Sequence, residues 1–220
     1  MKQLTEKNKK ICKSIMLLIM FIIIIAGIIV TAVLGFNKEL KYKQTQSIDV
    51  YVEKEFDLSK IKEIANQVFG KSNMIKVIEI YEDMFTVQAE NITEEQKNDF
   101  LNKVKENYEF KQTIEDTTIN TVPATRIRDM YKKYVIPFAI SGILVLAYMI
   151  IRYYKKGILQ VLVRTVCIPV FAEAVLLSII AITRLPVGRF TPVFVLLVYI
   201  ISIFFVIRQN EKSEDKIIEN

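Results

Sequence analysis

The sequence contains no histidine. That absence removes imidazole-based triads, histidine metal sites and the commonest side-chain switch near neutral pH. The two cysteines, Cys12 and Cys167, lie far apart and form no CxxC pair, which argues against a zinc cluster and a redox couple. Tryptophan is also missing, so anchoring at a membrane interface falls to tyrosines such as Tyr134, Tyr153 and Tyr154. No GxGxxG, P-loop, HExxH or GxSxG is present, so neither enzymatic chemistry nor a cofactor is expected. What the 220 residues do hold is apolar: 52% are hydrophobic, which excludes a disordered tail, a collagen-like fibre and a disulfide-stapled mini-protein. The net charge of +6 is not read as a nucleic-acid footprint, because the positive residues flank the apolar runs.

Those runs are four. Ile15–Phe36 carries no charge and follows Lys2, Lys7, Lys9, Lys10 and Lys13. A helix needs roughly 20 apolar residues to cross a bilayer, whereas the apolar part of a signal peptide has about 7–15. The run is therefore read as a retained anchor. The second span is Tyr134–Ile151, with Pro137 placed in its first turn, where a missing N–H is tolerated. The third, Leu159–Ile182, contains Arg164, Pro169 and Glu173; the fourth is Phe190–Ile207. Lys and Arg concentrate in the tail 1–14, the loop 152–158 and the tail 208–220, whereas the loop 183–189 has only Arg184 and Arg189. The positive-inside rule then predicts both termini in the cytoplasm of a multi-pass cell-membrane protein, with residues 37–133 outside.

Residues 37–133 have nearly balanced charge, 16 Lys+Arg against 18 Asp+Glu, and clean periodicities. Ser47–Glu55 alternates as a half-buried strand, with Ile48, Val50 and Val52 on one face. Asp57 is placed to cap a helix whose stripe is Leu58, Ile61, Ile64, Ala65, Val68 and Phe69, closed by Gly70. Met74–Tyr81 and Met84–Ala89 read as strands joined at Glu82-Asp83. Thr93 and Gln96 form a capping-box pair before Phe100, Leu101, Val104 and Tyr108, and Phe110–Val122 reads as a final, weaker strand. The expected fold is thus an α-helical integral membrane protein with four transmembrane helices and an α+β, ferredoxin-like (βαββαβ) extracytoplasmic domain. Such a domain hosts many functions and settles none. The pairs Glu82-Asp83 and Glu94-Glu95 read as turn and helix-start charge, and Asn91-Ile92-Thr93 matches a glycosylation sequon whose Thr is better used as a cap.

This architecture resembles SecF, the auxiliary subunit of the Sec protein-export machinery, and the likeness extends to local sequence. SecF proteins leave the first span through a segment like G-x-N-x-G-x-D-F-x-G-G-T-x-I-x-V. Aligned without a gap, Gly35, Asn37, Ile48 and Val50 match and Tyr42 replaces the Phe, while Lys41, Gln44 and Thr45 stand where the family has its Asp and paired Gly. Val122-Pro123 resembles the family's V-G-P element without the Gly, and Tyr148–Tyr153, with Arg152, resembles Y-x-x-I-R-F. The family has six spans, against four here. Its H-D pair aligns with Phe171-Ala172-Glu173, and of its G-Y-S-x-N-D signature Val198–Ile203 keeps Tyr199. The resemblance implies a membrane subunit that assists export, with the bilayer, a SecD-like or other Sec translocase subunit and unfolded polypeptide as partners, and with little of the family's proton-coupling machinery.

Glu173 is the one acid well inside a span. Placing a charged carboxylate near the bilayer centre costs on the order of 3 kcal/mol on insertion scales. It reads either as a proton-sensitive or interhelical contact site, or as a neutral side chain satisfied by a neighbouring helix or a partner subunit. Arg164 is nine residues away, on the opposite face of a straight helix and roughly 13 Å along its axis. It is read as snorkelling to the cytoplasmic interface. Ser178, Ser202 and Ser141-Gly142 read as helix-packing positions. Two other classes fit the same outline: a structural or regulatory FtsX-like membrane module, and a small proton-coupled transporter using Glu173.

Overall fold

A computed structural model of the chain describes residues 2–52, 56–77, 84–108 and 114–218. In chain order the elements are α1 (Lys2–Leu34), β1 (Thr45–Tyr51), α2 (Leu58–Phe69), β2 (Asn73–Val77), β3 (Met84–Ala89), α3 (Glu94–Lys105), β4 (Ile119–Val122), α4 (Ile127–Arg152), α5 (Ile158–Ile182) and α6 (Thr191–Ile218). They form two compact units, Lys38–Asp129 and the combination of Met1–Asn37 with Met130–Asn220.

The first is an α/β unit around a four-stranded sheet of order β2-β3-β1-β4. Every neighbouring pair is antiparallel, with Ile48 opposite Val87 and Ile119 in the two ladders of β1. Period-2 alternation sends Ile48, Val50 and Val52 into the core with Phe85, Val87 and Ala89. Ile61 and Ala65 of α2 and Phe100, Leu101 and Val104 of α3 meet that same cluster. Local chemistry sets the helix ends. Asp57 accepts a hydrogen bond from the Ser59 N–H at 2.8 Å, and Gly70 closes α2 with φ of 75°. Thr93 and Gln96 complete a reciprocal capping box at the start of α3.

One expectation is corrected here. The last strand is only Ile119–Val122, and Ile114 belongs to a 3₁₀ turn, Ile114–Asp116. The polar Glu115-Asp116-Thr117 stretch lacks the alternation that a ladder rewards, and the Lys97 ammonium instead holds the Thr117 carbonyl at 3.2 Å. The turn proposed at Glu82-Asp83 and the ends of the strands around it lie outside the described residues.

The second unit is helical. Among the described residues, four helical segments are long and apolar enough to cross a membrane: Ile11–Leu34, Ile127–Arg152, Ile158–Ile182 and Thr191–Glu211. Helix α4 starts seven residues before Tyr134, because the charged stretch Ile127–Lys133 is also helical, with Asp129 in its first turn favoured by the helix dipole. Pro137 therefore lies inside α4 rather than in its first turn. Helix α6 likewise runs past Ile207, since Glu211, Lys212 and Lys216 are good helix formers although polar.

Helix α1 crosses α5 where Gly27 faces Ser178. A Cβ built on Gly27 would lie 2.3 Å from the Ser178 Cβ. The Ser178 hydroxyl donates to the Ala174 carbonyl and Thr31 to the Gly27 carbonyl, so close van der Waals contact, not an interhelical hydrogen bond, joins the two helices. Phe21 and Phe171 pack one step along, with ring centres 5.4 Å apart. Helix α4 joins the bundle through Phe138 against Tyr199 and through a cluster of Met149, Tyr153, Val161 and Val206. Gly142 faces open space, so Ser141-Gly142 forms no close crossing of that kind.

Phe100 is fully buried, with Phe69 and Phe85 rings 5.2 and 6.5 Å away. Phe100→Ala is expected to cost the α/β unit about 3–5 kcal/mol, most of what a unit of this size can spare. Limited proteolysis of the detergent-solubilised protein should then cut within residues 38–129 while α4–α6 stay protected. An unchanged digestion pattern contradicts the assigned core.

Candidate functional site

Glu173 is carried by α5 on the stripe of Pro169 and Ile180, at i−4 and i+7, and both of those residues are buried. Its carboxyl is accordingly turned inward: both oxygens are sealed from solvent and meet no hydrogen-bond partner among the described residues. Three buried hydroxyls of α5 and α6 are engaged on their own helices, and that of Thr191 accepts from the Gly188 N–H. Thr165 donates to the Val161 carbonyl, Ser178 to Ala174 and Ser202 to Tyr199, at 2.7–2.8 Å. Pro169 has no N–H to give the Thr165 carbonyl, so α5 is short of one helical donor a turn before the acid.

Arg164 does not join Glu173. With the Gln160 amide oriented so that each end meets its complement, its nitrogen donates to the Lys156 carbonyl at 3.2 Å and its oxygen accepts from Arg164 at 2.9 Å. The guanidinium is thus drawn toward the start of α5. The two charged residues of the third apolar run remain separate, and among the described residues no ion relay links them.

At the opposite end of the helical unit, three segments are tied together. Gly35 ends α1 in the left-handed region, φ 63°, and its carbonyl accepts from the Arg184 guanidinium at 2.5 Å. The Asn37 amide donates to the Arg184 carbonyl at 2.9 Å, and the Asn37 carbonyl accepts from the Val187 N–H at 2.7 Å. Arg184 itself has φ of 54°, unusual for a residue with a side chain. The Tyr131 hydroxyl donates to the Gly188 carbonyl at 3.2 Å, which ties the start of α4 to the same loop.

The remaining residues matched to the SecF pattern are scattered. Within the α/β unit the Tyr42 carbonyl accepts from the Thr125 N–H at 3.1 Å, near Pro123 at the end of β4. Arg152 lies over the Tyr153 ring, and Tyr199 packs edge-on against Phe138. A polar depression beside the start of β1 involves Gln46, Asn91 and Thr121, but its charges, Lys43 and Glu90, pair with each other. Among the described residues no group of acids and cysteines is placed to hold a metal. Sequence reasoning missed the clasp formed by Arg184 and the inward face of Asn210; neither positive φ nor long-range burial leaves a local signal. Compared with family models and with curated proteins, the chain matches none.

A sealed carboxyl with no partner costs free energy that an apolar side chain of similar size would not. Glu173→Leu is expected to stabilise the helical unit by about 1–3 kcal/mol. Thermal unfolding in detergent measures this, and a fall in stability would reveal a donor that holds the acid. Asn37→Ala, which leaves the Arg184 carbonyl without its donor, should cost roughly 1–2 kcal/mol in the same assay; no change would show the clasp to be incidental.

Proposed function

We propose that the chain is a SecF-like membrane subunit that assists protein export. The bilayer holds its four apolar helices, and the α/β unit lies outside the cytoplasm, where it meets emerging polypeptide. One observation carries the reading: a β-α-β-β-α-β unit with sheet order β2-β3-β1-β4 lies between the first two apolar helices. That order, antiparallel throughout, supports a ferredoxin-like domain. Gly35 and Asn37, two residues of the segment that resembles SecF, are engaged by the α5–α6 loop, which gives the likeness a structural reason beyond sequence. The lysine-rich first tail and the basic loop after α4 support cytoplasmic termini.

On this reading the domain acts by contact and movement, without chemistry of its own. Of the two sheet edges, β2 and β4, the longer β2 is the one offered to an extended polypeptide; among the described residues it pairs only with β3. The departures at Lys41, Gln44, Thr45 and Val198–Ile203 leave little polar machinery for proton coupling. The partnerless Glu173 oxygens favour a role for that acid in an intramembrane contact completed by another molecule, a water or a group from a SecD-like subunit.

A photo-crosslinking amino acid at Lys76, exposed on β2, tests the reading in intact membranes. Adducts with translocating polypeptide, and Sec subunits among the neighbours recovered after gentle solubilisation, are expected. Absence of both classes of neighbour would refute an export role.

A further inference from the structure

The end of the helical unit away from the Asn37–Arg184 clasp holds a polar cluster that the export reading does not use. Tyr153 and Asn210 are each only 1% exposed. The Tyr153 hydroxyl and both ends of the Asn210 amide lack hydrogen-bond partners among the described residues. Native proteins leave few such groups unsatisfied, so three such atoms on two residues that Lys156 links mark either trapped water or a ligand. Positive charge surrounds them. The Lys156 ammonium donates to the Asn210 backbone carbonyl and lies 4.9 Å from the centre of the Tyr153 ring. The Arg152 guanidinium lies 5.7 Å from the same ring centre and is near enough to interact with the phenol, although without hydrogen-bond geometry. Gln160 draws Arg164 toward the Lys156 carbonyl. Lys155 is exposed beside them, and the described carboxylate nearby is that of Glu211, also exposed.

We infer that this cluster binds the phosphodiester of an acidic phospholipid. The Lys156 and Arg152 cations against the Tyr153 ring disfavour a cationic ligand, and a zwitterionic headgroup whose own ammonium would meet them. A phenol O–H and an amide N–H₂ offer donors, and a phosphodiester offers several acceptor lone pairs with one negative charge. The cluster stands where α4 ends, α5 begins and α6 leaves its apolar stretch, the depth at which a bilayer presents its phosphates. Lys156 touches both buried residues and is the flexible member of the group. Swinging its ammonium from the Asn210 carbonyl to a lipid phosphate opens the phenol and the amide to the remaining phosphate oxygens. The inference rests on the membrane reading but on neither export nor the SecF resemblance.

The test uses the full chain reconstituted into phosphatidylcholine vesicles with or without a minor fraction of phosphatidylglycerol. Flotation is scored first, then lipid retained on the extracted protein is measured by native mass spectrometry. Flotation in both compositions with selective retention of phosphatidylglycerol is expected. Lys156→Gln should lower that retention about tenfold, the loss of one charge-assisted hydrogen bond. Tyr153→Phe and Asn210→Leu, which change no charge, should lower it severalfold. Equal retention of the two lipids overturns the site while leaving the membrane reading intact. Loss in Lys156→Gln alone overturns it in favour of plain surface charge, and displacement by millimolar inorganic phosphate overturns the assignment to lipid. Failure to float in either composition overturns both the site and the membrane reading.

Discussion

Apolar surface that the chain itself does not cover is the constraint on which the structure depends. Ile22, Ile28, Val33, Ile136, Ile143, Leu159, Phe194 and Phe204 are all more than half exposed on their helices. Each large apolar side chain left in water forgoes about 1.5–3 kcal/mol relative to burial. A bundle packed along Gly27–Ser178, Phe21–Phe171, Phe138–Tyr199 and the Met149–Val206 cluster, with so much of its surface uncovered, would be a poor solution in water. In hydrocarbon the balance reverses. There lipid would cover the exposed faces, backbone bonds would be satisfied within each helix, and what would remain to be specified is how the helices meet. Small residues and a few rings are sufficient there, because close approach of backbones replaces the hydrophobic drive.

The α/β unit obeys the opposite rule. Its stability comes from one core shared by β1, β3, α2 and α3, and its helix ends are fixed by side chains adjacent in sequence. Being small, it buries a modest fraction of its surface, so connection at both ends to long helices limits the freedom it would otherwise regain on unfolding. The chain thus combines two packing regimes, one core closed by its own elements and four apolar helices that leave most of their surface uncovered.

How much of this was legible follows from the range of each interaction. Asp57, Gly70, Thr93 and Gln96 announce α2 and α3 because capping acts over two to four residues. The apolar runs announce four long helices because composition alone is sufficient for that. The start of α4 at Ile127 was hidden, since hydropathy falls at Arg128, Asp129, Lys132 and Lys133 while the backbone stays helical. Likewise β4 stops at Ile119 although β1 runs on to Tyr51, because the polar stretch before it turns at Ile114–Asp116 instead of alternating. Glu173 was visible as a lone acid, but its lack of a partner depends on which hydroxyls the other helices engage elsewhere. The Tyr153, Lys156 and Asn210 cluster joins residues more than fifty positions apart, and no local pattern encodes it.

The α5–α6 loop has a mechanical consequence. Asn37, the last residue before the α/β unit, is fastened to Arg184 and Val187, and Tyr131, just after that unit, is fastened to Gly188. Both strands of the tether are thereby moored to one short hairpin of chain. The ends of α1 and α4 that lead to and from the domain therefore share one anchorage, and loosening the loop would free both of them.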